Sequence, residues 1–436
     1  MRPDRLDDNR SAWLAELPPD QRSPALRGTA TADVAIIGGG ITGVSTAWHL
    51  ARRYPDRRIV LLEARGLANG ASGRNGGQVL NGINGVSPHD EDLGKRVHTA
   101  TSAGIDIVEE LARASTIDCG FSRHGCLEVC TTPRSAEAAE AHTRTAQAWG
   151  LDLRWLPANA VGMAGAHGAV LDPAAGRVNM AGLCRGLRAP LQAMGVAIHE
   201  DTPVLRVREG KTLTLVTPEG LVRAAAVVLA TNGYTPLLGY FKTGILPLHS
   251  HVIATGPLSP ERWSSLNGAF DGFADDLDRI AYGCRTPGDR MLFGGGSNAA
   301  YTYAFGGSPV FSAPATPDAP HFAALARRLH GYFPDLTHEP VAHRWTGTLG
   351  ITFDRQCTMG VTGSHKNVYY ALGYSGHGLA LGALAGRVLR DLYSDDHDPW
   401  RRLPFYFKRL LPIPPEPIRW LGYQAYTRLT GRSPRR

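Results

Sequence analysis

The run Ala32-Asp33-Val34-Ala35-Ile36-Ile37-Gly38-Gly39-Gly40-Ile41-Thr42-Gly43 constrains this chain more than any other stretch. Its first half is short and nearly all apolar, the pattern of a parallel strand buried on both faces. The following ITGVSTAWHLARRY places Val44, Ala47, Trp48 and Ala51 at helical spacing, and Pro55 closes it. RRIVLLEA reads as the next strand. Strand, turn, helix and strand within about 30 residues make a βαβ unit. In the turn, Gly38 permits the sharp bend, Gly40 lets backbone approach a pyrophosphate, and Gly43 lets the helix pack on the strand. The helix N-terminus, with Ile41 and Thr42 in its first turn, offers free N–H groups and a partial positive charge to phosphates. Glu63, followed by Ala64, stands 20 residues past Gly43. A carboxylate there accepts hydrogen bonds from a ribose diol and repels a 2′-phosphate, so a dinucleotide other than NADP is expected.

A second glycine-rich loop, ASGRNGG (Ala71 to Gly77), begins eight residues after that glutamate. Beyond it the pattern predicts a long helix opened by Ser87 or Asp90, a strand GCLEVC, and a helix SAEAAEAHTRTAQAWG ending on Gly150. MAGLCRGLRAPLQAMG is expected to be helical, with Leu183, Leu187, Leu191 and Met194 on one face and a kink at Pro190. Strands resume at TPVLRVREG and TLTLVTPEG, and LVRAAAVVLATNG ends in small and polar residues, Thr231 among them, suited to closing over a dinucleotide. From about 240 to 345 the texture changes to irregular strands and aromatic-rich loops. The last strand and helix, NVYYALGYSGHGLALGALAGRVLRDLY, restore the opening pattern. Their connection, Gly373 to Gly378, aims a second helix N-terminus at the carboxyl edge of the sheet. Such a dipole stabilises an anionic reduced flavin, a need that an NAD enzyme lacks.

With 436 residues and 43% hydrophobic content, the chain supports a sizeable core. It has no apolar run of about 18 or more residues and no apolar centre near its N-terminus, so a soluble cytoplasmic protein is expected. Six cysteines are too few for a disulfide scaffold, and Cys119, Cys126 and Cys130 lack the CxxC pairs of a zinc site. Buried free thiols and no metal are expected. Although the net charge is +7, only five of the 46 basic residues are lysines. This bias reads as base composition, not nucleic-acid binding. Basic residues are scattered until RRLPFYFKRLLPIPPEPIRWLGYQAYTRLTGRSPRR, where they interleave with aromatic and aliphatic ones. The tail is read as an arm packed on the body or on a neighbouring subunit, with peripheral contact to an anionic membrane as the alternative.

Together DVAIIGGGITGVSTAWHLARR…IVLLEA, GASGRNGGQ, VVLATNGYTP and YYALGYSGHGLALGALAGRVL resemble FAD-dependent oxidoreductases of the D-amino-acid oxidase type, which include glycine and sarcosine oxidases. The ASGRNGGQ loop is similar to that of gamma-glutamylputrescine oxidases. The resemblance covers residues from about 24 to 393. It implies a mixed α/β (α+β) fold in which a Rossmann-like FAD-binding domain (32–95, 150–240 and 345–395) carries an inserted β-rich substrate domain (96–149 and 241–344). A lead (1–31) precedes them and the basic aromatic tail (396–436) follows. The implied reaction is oxidation of a C–N bond in a small-molecule amine or amino acid (gamma-glutamylputrescine-like, N-methyl or D-amino acid), by hydride transfer to flavin N5. The imine product then hydrolyses. By the match, Ser72 meets FAD phosphates and Arg74, Asn75, Gly76 and Gly77 pass beside the isoalloxazine. Val204 bonds adenine through its backbone, and Gly376, His377, Gly378 and Leu379 meet the pyrimidine.

Two departures from the family matter. Sarcosine-oxidase-type members attach flavin through a cysteine in the segment matching RWTGTLGITFDRQ, where this chain has Gly347, with Cys357 lying past it. FAD is therefore expected to be noncovalent. Those enzymes also activate oxygen with a lysine beside the flavin, and the matching DRMLFGGGSNAA has none. Arg74 or His377 becomes the candidate catalytic charge, and the electron acceptor is O2 or another carrier such as a quinone. His251, Tyr282, Tyr303 and Trp345 are candidates to line the substrate pocket, and Arg285 to hold a carboxylate. The rival readings are an NAD-dependent dehydrogenase and a flavin-carrying binding protein without turnover.

Overall fold

The strand Gly28–Ile37 pairs in parallel with Ile59–Leu62 on one side and Gly220–Leu229 on the other. This arrangement belongs to a computed structural model that describes residues 9–266, 270–296, 300–301 and 320–430. The first sheet continues to Ala197–His199 beyond one neighbour, and to Val368–Leu372 and Thr358–Thr362 beyond the other. Strand side chains alternate between faces. Val34 and Ile36 accordingly enter one core while Ala35 and Ile37 enter another, and Ile59 and Leu61 part from Val60 and Leu62 in the same way. The continuous apolar runs follow, since neither face of these strands meets water.

Three helices cover one face: Ile41–Arg53, Glu91–Ala114 and Gly378–Tyr393. Small residues bring them into backbone contact. A Cβ on Gly386 would lie 2.3 Å from Ser45 Oγ and 2.4 Å from the Ser45 carbonyl carbon. Ser45 Oγ donates to Ala383 O at 2.6 Å across the same crossing. Asp90 is the cap of the long helix, its Oδ1 accepting from Leu93 N–H at 2.8 Å. The helix expected to kink at Pro190 is two helices, Met180–Gly186 and Arg188–Ala193. Proline gives no N–H to the carbonyl four residues back. That carbonyl, Gly186 O, accepts instead from the N–H and Oγ1 of Thr116.

The second sheet orders as Val341–Ile351, Leu246–Pro257, Arg290–Gly295, Ala281–Arg285, Gly272–Asp275, Cys126–Cys130, Gly168–Asp172 and Arg154–Pro157. Its membership departs from the boundaries expected above. Arg154–Pro157 and Gly168–Asp172 come from the 150–240 segment, and Val341–Ile351 crosses residue 345. The long helix, most of it within the 96–149 segment, packs on Gly378–Tyr393 instead, a Cβ on Gly104 falling 2.6 Å from Ala380 O. Periodicity in a short strand reports burial, but long-range register chooses the sheet it joins.

The tail crosses back over the body. Met359 and Phe407 N–H donate to Phe405 O and Met359 O, and Ile413 N–H donates to Thr243 O at 2.6 Å. The helix Ile418–Thr430 follows. All six cysteines are free and buried, and among the described residues no cluster could hold a metal ion. No described helix is long and apolar enough to cross a membrane. Gly386→Ala is expected to destabilise the fold by about 1–3 kcal/mol, because its methyl meets the Ser45 backbone carbonyl as well as the Ser45 hydroxyl, and the backbone cannot step aside as a side chain can. A lower denaturant midpoint checks this, and an unchanged midpoint refutes the close crossing.

Candidate active site

The carboxyl ends of the first sheet's parallel strands are shaped by atoms that leave no room for side chains. A Cβ on Gly38, whose φ is +110°, would lie 2.6 Å from Ala230 O, and one on Gly43 would lie 1.9 Å from Gly38 O. Gly43 therefore serves helix packing and does not line the cavity described below. Ile41 N–H, the first free donor of the helix, points at Ser72 Oγ at 3.0 Å. The two glycine-rich loops thus meet at the helix N-terminus. Glu63 closes the other side of the turn: Oε2 accepts from Gly39 N–H at 2.7 Å and Oε1 from Arg65 N–H at 2.9 Å. Burial pushes its carboxyl above the usual range, against the pull of those donors, and nearby Glu200 adds to the rise.

The second loop is held from within and from behind. Asn75 Nδ2 donates to Ala71 O and Ser72 O, while its Oδ1 accepts from Gly77 N–H at 2.8 Å. Behind it lies the N-terminal lead: Ser11 Oγ donates to Gly73 O at 2.5 Å and Trp13 Nε1 to Asn75 O at 2.8 Å. Arg74 Nη2 donates to Asn9 O at 2.7 Å, and Trp345 Nε1 donates to Arg74 O at 3.1 Å. Asn9 in turn is paired with Thr346 through both its side-chain atoms. In front, the Tyr282 ring sits where a Cβ on Gly76 would fall, 2.7 Å away.

The closing segment completes the wall. Tyr374 OH and Thr42 Oγ1 are 2.8 Å apart, tying it to the opening helix. Asn232 Oδ1 accepts from Gly373 N–H and Asn84 Nδ2 donates to Ser375 O, which fixes the turn before Gly376. His377 occupies the N-cap position of the helix that begins at Gly378, without a side-chain capping hydrogen bond.

A cavity of about 910 Å³ joins these parts. Of the residues singled out in the sequence, Gly38, Gly40, Ile41, Thr42, Glu63, Ala64, Ser72, Arg74, Asn75, Gly76, Val204, Thr231, Tyr282, Gly376, His377, Gly378 and Leu379 line it. Gly77 does not; a Cβ on it would strike the Trp13 ring at 2.7 Å. A hollow of this size, floored by close-approach glycines and two helix N-termini, fits an extended dinucleotide.

Three substrate candidates lie elsewhere. His251 is on the far face of Leu246–Pro257, its ring 3.9 Å from that of His321 and packed on Phe322. Arg285 pairs with Asp289 and stacks on Trp263. Trp345 is fully buried behind Arg74. Tyr303 lies outside the described residues. The wall is built instead by Leu246, Leu248 and Ser250, one register position off His251, together with Thr348 and Ile351 of the neighbouring strand. Alternation was the available signal, but a strand of mixed polarity does not announce which face is inward. Asp278, Arg355, Tyr423 and Tyr426 were missed altogether; they form the mouth.

Burial, with nearby His321 and His249, lowers the His251 pKa to about 3. The folded chain therefore keeps it neutral while the unfolded chain protonates it near pH 6.5. Its contribution to stability is present above that value and is lost as pH falls from about 6.5 towards 3. His251→Leu should flatten the acid side of the stability profile by up to one proton, about 1.4 kcal/mol per pH unit. Denaturant titrations at several pH values check the slope.

The FAD dependent oxidoreductase (DAO) family matches residues 33–392. Gamma-glutamylputrescine oxidoreductase of Escherichia coli strain K12 is 29% identical over 391 residues, covering 86% of this chain and 87% of its own length. Glycine oxidase of Geobacillus kaustophilus is 23% identical over 395 residues, covering 86% and 97%. The crystal structure of glycine oxidase from Geobacillus kaustophilus shares the fold with a TM-score of 0.73 at 22% identity, covering 88% of this chain and 100% of that one. L-proline dehydrogenase from P. horikoshii does so at 0.69 and 19%, covering 86% and 98%. The glycine turn, the second loop and the closing helix that meet at this cavity are those of a protein that belongs to the FAD dependent oxidoreductase (DAO) family, an FAD-dependent amine or amino-acid oxidoreductase.

Proposed function

We propose that this enzyme oxidises a C–N bond in an elongated amine that carries an amino-acid end, the chemical class of gamma-glutamyl amines. The supporting observation is the layout of the cavity, which runs from the Gly38 turn, past the ASGRNGG loop and Gly376, to an apolar compartment and a charged mouth. Leu246, Leu248 and Ile351 wall the compartment and suit a methylene chain. At the mouth Arg355 Nη2 lies 2.5 Å from Asp278 Oδ1, and Tyr426 OH donates to the same oxygen at 2.9 Å. An adjacent cation and anion complement the carboxylate and ammonium of an amino-acid group. One relative carries gamma-glutamylputrescine in its name, a molecule of this shape.

Bound FAD supplies the hydride acceptor. The chain's own residues align the substrate and exclude water, the main requirements of a hydride transfer. Tyr282 OH and Ser250 Oγ, 2.7 Å apart, set a neutral polar pair into the otherwise apolar wall. Burial pushes the Tyr282 phenol up to about 12, so it stays protonated at neutral pH and can orient an uncharged amine. FAD is held noncovalently in this reading. Cys357 is buried off the cavity and burial pushes its thiol up to about 12, far from a reactive thiolate. No lysine lines the cavity among the described residues; Arg74 and His377 do, and in this reading one or the other supplies the charge beside the flavin. The electron acceptor is dioxygen or a carrier such as a quinone.

Under anaerobic conditions the flavin band should bleach fastest with gamma-glutamyl amines in a panel that includes N-methyl and D-amino acids. Faster bleaching by a short amino acid such as glycine or sarcosine would overturn the elongated-substrate reading. Peroxide formation in air then separates oxidase from dehydrogenase. Arg355→Met should raise KM by about tenfold or more with little change in kcat, the loss of a charge-assisted contact away from the reacting bond. Gly76→Ala, by displacing Tyr282 and the loop, is expected to lower both bound FAD, measured by absorbance after purification, and turnover by about tenfold; full FAD occupancy and turnover would refute the close-approach role.

A further inference from the structure

The last 36 residues of the sequence contain nine Arg or Lys and one Glu, a surplus of eight against a net charge of +7 for the whole chain. The other 400 residues therefore sum to −1. The same segment holds most of the large apolar side chains exposed among the described residues. Of the eight large hydrophobic side chains exposed among the described residues, Phe407, Leu411, Ile418, Leu421, Tyr426 and Leu429 lie here.

The helix Ile418–Thr430 divides these features by face. Arg419, Tyr423, Tyr426 and Thr427, at helical spacing, line the cavity. Leu421 and Leu429 are 56% and 82% exposed on the other side, with exposed Arg428 beside them. Phe353, 66% exposed, adds to the apolar surface at the cavity rim. Arg401, Arg402 and Lys408 pair with Asp398, Asp92 and Asp354. Arg409 and Arg428 are exposed, and the sequence adds Arg432, Arg435 and Arg436.

We infer that the outer face of the C-terminal segment docks on an anionic lipid surface. Exposed apolar side chains on the same segment as the exposed Arg409 and Arg428 match an interface that offers both negative headgroups and hydrocarbon. A second copy of this chain is a poor occupant, since a two-fold contact would bring the exposed Arg409 and Arg428 of one copy against those of the other. Docking in this orientation sets the mouth of the cavity beside the headgroups, since the inner face of the same helix forms part of its wall.

The test is co-sedimentation of the FAD-loaded full chain with vesicles of phosphatidylcholine alone and of phosphatidylcholine containing about a third phosphatidylglycerol. Binding is expected on the anionic vesicles only, and should disappear in about 0.5 M salt. Arg409→Gln with Arg428→Gln, and separately Leu421→Ser with Leu429→Ser, should each weaken it by about tenfold or more while bound FAD and thermal stability stay unchanged. Equal sedimentation with both vesicle types, or with neither, overturns the inference. So does a concentration-dependent dimer that the leucine variants dissolve, which would make a second copy the occupant.

Discussion

The distance between Gly38 and Gly43 governs much of this molecule. A single added carbon at Gly43 would come within 1.9 Å of Gly38 O, so the first strand and first helix are as close as two backbones can be brought. Only from that closeness do the helix N–H groups reach the sheet's carboxyl edge, where Ser72, Glu63 and Ala230 converge. The closing helix depends on the same geometry, because Gly382 and Gly386 nest against Ile41, Thr42 and Ser45 of the opening helix. A side chain at any of these crossings would separate elements that the cavity needs in contact.

The second glycine loop gains its shape from parts of the chain far from it in sequence. Asn75 ties the loop to itself, and Ser11 and Trp13 hold its back. Arg74 is the residue whose character changes most. From the sequence it reads as a charge beside a flat ring; in the fold it lines the cavity while its Nη2 grips Asn9 O. It therefore joins the lead to the cavity wall as well as carrying charge. Gly77 similarly belongs to the packing on Trp13 and not to the lining.

The βαβ opening, the closing strand and helix, and the mixed α/β class were legible because each is a local pattern with a physical cause. Continuous apolar strands imply two covered faces, and glycines at fixed offsets imply a tight turn. What stayed hidden is long-range. Nothing within Arg154–Pro157 or Gly168–Asp172 says that they join the second sheet. His251 and Ser250 are adjacent, and only the pairing of Leu246–Pro257 with its neighbours turns one away from the cavity and the other into it. The lead shows no partner in its sequence, and the tail reads as an arm packed on the body or on a neighbouring subunit without saying where. Their partners, the back of the loop and the mouth of the cavity, are 62 residues and about a third of the chain away respectively.

The cavity wall is drawn from residues between 37 and 84, at 204, between 230 and 300, between 347 and 379 and between 413 and 427, so no early portion of the chain contains it whole. The parallel sheet shares this property, its Gly220–Leu229 strand lying between one partner 192 residues earlier (Gly28 with Gly220) and another 141 residues later (Val227 with Val368). Such topology is slow to form, and sheet edges wait exposed while it does. During synthesis, then, the complete cofactor site is among the last parts to be assembled. The opening βαβ unit must persist without the Tyr374 contact to Thr42, and without the closing helix against its own, until at least the 332 residues separating that pair have emerged.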